Sequence, residues 1–197
     1  MIKPLFPILL HEFVIENFNE IKDDLIKFAY DEKKSSPGYI KSNIGGWQSH
    51  TNYQDFKNIL NEVLIEPVVR YYKENEIFHQ HSLIRFNGMW ININPPGSHN
   101  RTHLHPNSDL AGVFWIKLPP HSGRLEFTNP YGYQYSNVYT QFNQKLRDDL
   151  SIHPSIVCNP VEGKVVLFPS YVFHRVEENE SDEDRISVSF NLLVGEP

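Results

Sequence analysis

The stretch RISVSFNLLV, residues 185–194, alternates from its first residue to Leu192. In an extended strand Ile186, Val188, Phe190 and Leu192 share one face, and Arg185, Ser187, Ser189 and Asn191 share the other. A guanidinium followed two residues on by a hydroxyl suits a carboxylate, because the guanidinium offers two parallel donors and the hydroxyl a third. An apolar outer face with such a polar inner face fits a barrel whose interior holds a polar ligand. The alternative is a strand with its polar face in water and Arg185 paired with the acids of 177–184.

The segments around this stretch share its grammar. HSLIRFNGMWININ (81–94), DLAGVFWIKLP (109–119), GRLEFTN (123–129) and GKVVLFPS (163–170) are β-rich runs punctuated by Gly and Pro. Short strands at close spacing favour a β-sandwich or barrel over a parallel α/β sheet. Before residue 81 the period changes. Ile21, Leu25, Ile26 and Phe28 recur at helical spacing behind Asn17, a candidate N-cap, and a second helix is expected over 53–74 with Phe56, Leu60, Val63 and Leu64 on one face. Pro67 must kink or restart that helix. SSPGYIKSNIGGWQS (35–49) reads as loop, and 139–150 as a mixed segment with a short helix. The 197 residues suit a single domain, with 1–80 as helical support and loop and 81–197 as the β core.

Composition narrows the partners. Eighteen Lys+Arg against 24 Asp+Glu, with no basic run, argues against nucleic acid, which needs clustered positive charge. Cys158 is the single cysteine, so neither an intrachain disulfide nor a thiolate zinc cluster can form. No stretch approaches the roughly 20 apolar residues of a membrane span, and the first residues lack a cleavage site. The expectation is a soluble, cytoplasmic protein without a signal peptide.

Ten histidines raise the question of metal. His103-Leu104-His105 places two imidazoles on one face of a strand, at a polar, turn-rich mouth where sites are commonly built. His79-Gln80-His81 has the same form and no such setting, so it reads as surface. His174, at the end of GKVVLFPSYVFH, would complete a facial set of three with positions left open.

At these residues the chain resembles the Fe(II)/2-oxoglutarate-dependent oxygenases. Their usual order is His-x-Asp/Glu, a distal His, then Arg-x-Ser about ten residues later; here it is His103-Leu104-His105, His174 and Arg185-Ile186-Ser187. HLHPNSDLAGVFWIKLP and GKVVLFPSYVFHRVEENESDEDRISVSFN are similar to a His-x-His-Pro branch found in bacteria and phages, over roughly residues 88–194. The resemblance implies a mainly β fold with flanking helices, a double-stranded β-helix or jelly-roll, cupin-like barrel. It implies Fe(II) held by His103, His105 and His174, and 2-oxoglutarate with its distal carboxylate against Arg185 and Ser187. It also implies O2 as co-reactant and hydroxylation of a substrate that the sequence does not name, a protein side chain or a small metabolite.

His105 stands where most of the superfamily has a carboxylate, so the bound metal would keep its full charge, and a neutral imidazole set also suits zinc, copper or nickel. Asp109 is an alternative source of a carboxylate, and one of His103 and His105 could instead orient a ligand from outside. Trp90, Asn92 and Asn94 form a polar face that either meets cosubstrate or lies in water. Arg101 and Arg175 adjoin the candidate ligands, where they would meet an anionic substrate or solvent. EENESDED (177–184) reads as a solvated hairpin tip, or, from its place beside the site, as a gate for a basic substrate; Phe114, Trp115, Phe127 and Phe168 read as core; 45–49, with Tyr39 and Tyr53 nearby, as a lid or a packed connector. The competing function is a cupin-like metal- or ligand-binding module without 2-oxoglutarate turnover, which has no use for a carboxylate clamp opposite the metal.

Overall fold

Two antiparallel sheets face each other in the computed structural model, which describes residues 2, 6–50, 60–132 and 137–196. The larger sheet runs β1 (His11–Val14), β9 (Lys164–Pro169), β6 (Leu110–Lys117), β11 (Arg185–Gly195), β4 (Leu83–Asn94), β3 (Trp47–Gln48). The smaller runs β2 (Asn43–Ile44), β5 (His99–His103), β10 (His174–Val176), β7 (Leu125–Thr128), β8 (Ser155–Cys158). The short, closely spaced strands form two antiparallel sheets, as a sandwich or barrel requires, in the jelly-roll that the resemblance implies.

Alternation along the larger sheet separates two cores. Met89, Ile91, Ile93, Phe114, Val165, Leu167, Ile186, Val188, Phe190 and Leu192 pack outward against Phe18, Leu25 and Ala29 of α1 (Phe18–Ser35) and against Leu60, Leu64, Ile65, Val68 and Tyr72. Each such side chain, fully buried, contributes about 1.5–3 kcal/mol. Ala111, Trp115, Val166 and Phe168 point the other way and meet Leu125, Phe127, Cys158 and Val172 between the sheets. Phe114 thus belongs to the outer core, and Trp115, Phe127 and Phe168 to the inner one.

The second helix is a π-helical turn, Asn61–Ile65, followed by α2 (Glu66–Glu74) with Pro67 in its first turn, where the missing N–H costs nothing. Pro67 therefore restarts the helix. Leu60 and Leu64 are buried and Val63 half-buried, as the spacing predicts; Phe56 and Tyr53 lie outside the described residues. Residues 139–150 hold a 3-10 turn (Tyr139–Gln141) and α3 (Gln144–Asp149), whose N-cap Asn143 accepts from Leu146 N–H.

Two local expectations are corrected and one open alternative is resolved. Asn17 precedes α1 but sits in the left-handed region (φ 55°, ψ 22°) and makes no side-chain cap; its carbonyl accepts from Glu20 N–H instead. The 35–49 loop contains β2 and β3, two-residue strands that add to one edge of each sheet. Gln48 and Ser49 are buried and Trp47 Nε1–H donates to Ser36 O, so 45–49 is a packed connector.

The 177–184 run is solvated only in part: Glu178, Glu180, Asp182 and Glu183 are exposed, but its middle is tied to the barrel. Asn179 is buried; its Nδ2 donates to Asn94 O (2.8 Å) and Glu183 O (2.7 Å), and its Oδ1 accepts from Ser181 N–H and Oγ–H. Its backbone pairs with Gly97 and Ser98, and three of the six acids of the run are engaged: Glu177 with Arg124, Glu183 with Lys117, Asp184 with the Tyr30 hydroxyl. Asn179→Ala orphans these groups at once, and an unsatisfied buried polar group costs about 1–3 kcal/mol. A loss of about 2–4 kcal/mol is expected in urea unfolding; a change below about 0.5 kcal/mol, the range of a neutral surface substitution, would mean that the loop does not need its asparagine.

Candidate functional site

The inner faces of the two sheets bring the candidate residues to one cavity. His103, His105, His174, Arg185, Ser187, Asn92 and Asn94 all line it, together with Ser42, Trp90, Trp115 and Phe168. His103 ends β5 and lies directly opposite His174, the first residue of β10, across the ladder. His105 follows in the loop, fastened by its N–H to Ser170 O. One ring nitrogen from each of the three falls within 4.8 Å of the others, and His105 Nε2 lies 3.2 Å from His174 Nε2.

The opposite ring nitrogens are occupied. His103 Nδ1–H donates to Arg101 O (2.7 Å) and His174 Nδ1–H to Val172 O (2.9 Å). A carbonyl only accepts, so each of these rings keeps its proton on Nδ1 and turns the Nε2 lone pair into the cavity. His105 Nδ1 faces Asn191 Oδ1 at 2.7 Å. Trp90 stacks on His105 at 5.6 Å between centroids, and the Phe168 ring meets His174 edge-on at 4.7 Å. Burial pulls all three histidines below the ordinary range, His105 to about 4 and His174 to about 3, with His103 adding to the shift at both. They are neutral at physiological pH, the state in which imidazole binds a metal.

At the other end of β11, Arg185 is 2 % exposed and no carboxylate pairs with it among the described residues. Its Nη1 donates to the carbonyls of Ser122 and Glu177, while Nη2 has no partner. Burial lowers its pKa to about 10, so it remains charged. Gly123 makes room for it: a Cβ there would lie 2.8 Å from Arg185 Nη1, and φ is +87°. Across the ladder Asn94 faces Arg185 and Asn92 faces Ser187. Asn94 Nδ2 and Asn92 Oδ1 also lack partners, although Asn92 Nδ2 donates to Ser189 Oγ. Buried polar atoms are normally satisfied; the free donors, Arg185 Nη2 and Asn94 Nδ2, fit an anionic ligand, whereas Asn92 Oδ1 is an acceptor and calls for a donor. The solvated-strand reading of 185–194 is thereby overturned.

Other candidates fall away from the cavity. Asp109 is exposed and its carboxylate accepts from Val194 N–H, so it is not in the histidine cluster. Arg175 is held by Glu126 at 2.6 Å; Arg101 is exposed and has no ion pair among the described residues. His79 and His81 are exposed, as the sequence suggests.

Residues 88–191, just over half the chain, match the family model described as "Putative 2OG-Fe(II) oxygenase". The chain belongs to this family. The oxygenase accordingly uses Fe(II) and 2-oxoglutarate, and its sequence matches none of the curated proteins. Its fold is shared with solved structures of low identity. A Pseudomonas putida prolyl-4-hydroxylase superposes with a TM-score of 0.61 at 15% identity, over 94% of this chain and 93% of that one. A Trichoplax adhaerens prolyl hydroxylase in complex with a hypoxia inducible factor peptide gives 0.64 at 9%, over 93% and 83%. The epimerase SnoN from nogalamycin biosynthesis gives 0.64 at 10%, over 92% and 78%. Hydroxylases and an epimerase on one barrel show that the fold carries no substrate assignment.

Two residues at the oxygenase site were not singled out from the sequence. Asn191 was legible only as a member of the polar face of 185–194. Ser42, whose Oγ is 3.5 Å from His103 Nε2, gave no signal, since it lies in a loop 61 residues away. Among the described residues no helix is long and apolar enough to cross a membrane.

Proposed function

We propose that the oxygenase hydroxylates a C–H bond, with His103, His105 and His174 holding iron and Arg185, Ser187, Asn92 and Asn94 holding 2-oxoglutarate. One observation carries the reading: one ring nitrogen from each of three histidines converges in a cavity that also contains a buried arginine with no carboxylate partner among the described residues. When bound, iron and 2-oxoglutarate supply the oxidation, in which O2 is consumed, 2-oxoglutarate becomes succinate and CO2, and one oxygen atom enters the substrate.

The remaining work belongs to this chain's residues. The carbonyls of Arg101 and Val172 hold two imidazoles with their lone pairs inward. Trp90 and Phe168 wall the histidines from solvent. Arg185 receives the distal carboxylate, positioned from behind by Ser122 and Glu177, with Ser187 and the Asn94 amide as further donors. A cupin-like barrel that only binds metal would bear the cost of burying Arg185 without using it, which disfavours that reading. The prime substrate is a protein side chain or a small metabolite reaching the open side of the histidine set. One outer core joins helices and larger sheet, which supports reading residues 1–197 as a single domain.

The test is anaerobic titration of metal-free protein with Fe(II) and then 2-oxoglutarate. A visible charge-transfer band that saturates at one equivalent of each is expected. Stoichiometric metal binding with no band would transfer the reading to the metal-binding module.

A further inference from the structure

The three candidate ligands differ in what stands behind them. His103 and His174 face backbone carbonyls, which accept and nothing else. His105 faces Asn191, whose primary amide carries an acceptor and a donor on one rotatable bond. Asn191 lies on the inner face of β11 at the register shift between Asn191 and Leu192.

The amide orientation decides where the His105 proton sits. With Oδ1 toward the ring, Nδ1–H donates to it and Nε2 is a lone pair, 3.2 Å from the lone pair of His174 Nε2. Two lone pairs at that distance repel unless a cation lies between them. With the amide turned end for end, Nδ2–H donates to a bare Nδ1 and the proton moves to Nε2. His105 Nε2–H then donates to His174 Nε2, an ordinary hydrogen bond that needs no metal. Only the first arrangement is open to His103 and His174, because a carbonyl cannot donate.

We propose that Asn191 is a positioning residue that sets the tautomer of His105, switching the site between a metal-free state closed by a His105–His174 hydrogen bond and a metal-receptive state with three lone pairs inward. The proposal rests on the reading of the three histidines as metal ligands. An acceptor-only side chain would hold the receptive tautomer, and an apolar one would hold neither.

Two measurements test it on wild type, Asn191→Asp and Asn191→Ala. In metal-free protein, long-range 1H–15N correlation of the imidazole nitrogens should place the His105 proton on Nε2 in wild type and on Nδ1 in Asn191→Asp; Nδ1–H in wild type overturns the switch. In Co(II) titrations followed by the visible ligand-field bands, Asn191→Ala should bind about 10- to 100-fold more weakly, and Asn191→Asp at least as tightly as wild type. Equal affinity in wild type and Asn191→Ala, with unchanged band positions, removes the positioning role. Failure of wild type to bind Co(II) would instead sink the ligand assignment, while the tautomer measurement, which needs no metal, would still decide the Asn191 part. Thermal unfolding of each variant separates these effects from loss of fold.

Discussion

Replacing His174 by alanine is expected to lower Fe(II) affinity at least about 1,000-fold, roughly 4 kcal/mol, and to take 2-oxoglutarate turnover with it. The reason is geometric. His174 opposes His103 across the ladder and reaches to 3.2 Å from His105 Nε2, so it is the ring that connects the other two. Its removal leaves His103 and His105 on one short segment, a pair common in proteins that hold no metal. The side chain is 4 % exposed and packs against Phe168, so some stability is also lost. Titration under anaerobic conditions separates the two effects, because a folded variant with intact affinity would remove His174 from the ligand set.

Arg185→Met is expected to produce two effects of opposite sign. A buried guanidinium without a carboxylate penalises the folded state. Burial pulls its pKa down to about 10, and the cost of keeping it charged is roughly 3 kcal/mol. The sign follows from the direction: a base whose folded pKa is depressed destabilises the fold at every pH below that value, so the penalty is full at neutrality and fades only above about pH 10. The methionine variant should therefore unfold at a higher temperature without ligand, each 1 kcal/mol being worth about 2–4 °C at this size. Its affinity for 2-oxoglutarate should fall by about 2–5 kcal/mol, roughly 30-fold to several thousand-fold. At a hundred times its Kd, 2-oxoglutarate should stabilise metal-loaded wild type by about 2.7 kcal/mol and the variant, at the same concentration, by less than about 1 kcal/mol. A variant that keeps wild-type affinity would free Arg185 of the cosubstrate role.

Much of the barrel was legible because strand alternation is a local property. The run 185–194 shows both faces in its own letters, and the structure puts Ile186, Val188, Phe190 and Leu192 against the helices and Arg185, Ser187 and Ser189 in the cavity. The same holds for Trp90, Asn92 and Asn94 on β4. The short edge strands β2, β3 and β8 were not legible, since two to four residues carry too little pattern and form only because a neighbouring edge is there to pair with. The acidic run 177–184 misled for a related reason. Its charges read as solvated until Asn179, Lys117, Arg124 and Tyr30 are seen to tie it down.

The sequence by itself determined a β-sandwich or barrel, which the family resemblance narrowed to a jelly-roll, together with the residue types of the metal and carboxylate sites and the absence of a carboxylate at position 105, because these depend on local period, spacing and identity. Only the tertiary structure decided that Asp109 points away, that Arg185 is buried with no carboxylate paired to it among the described residues, and that Asn191 stands behind His105. Each of these depends on which strands the two sheets bring face to face, a relation between distant segments that no local pattern records.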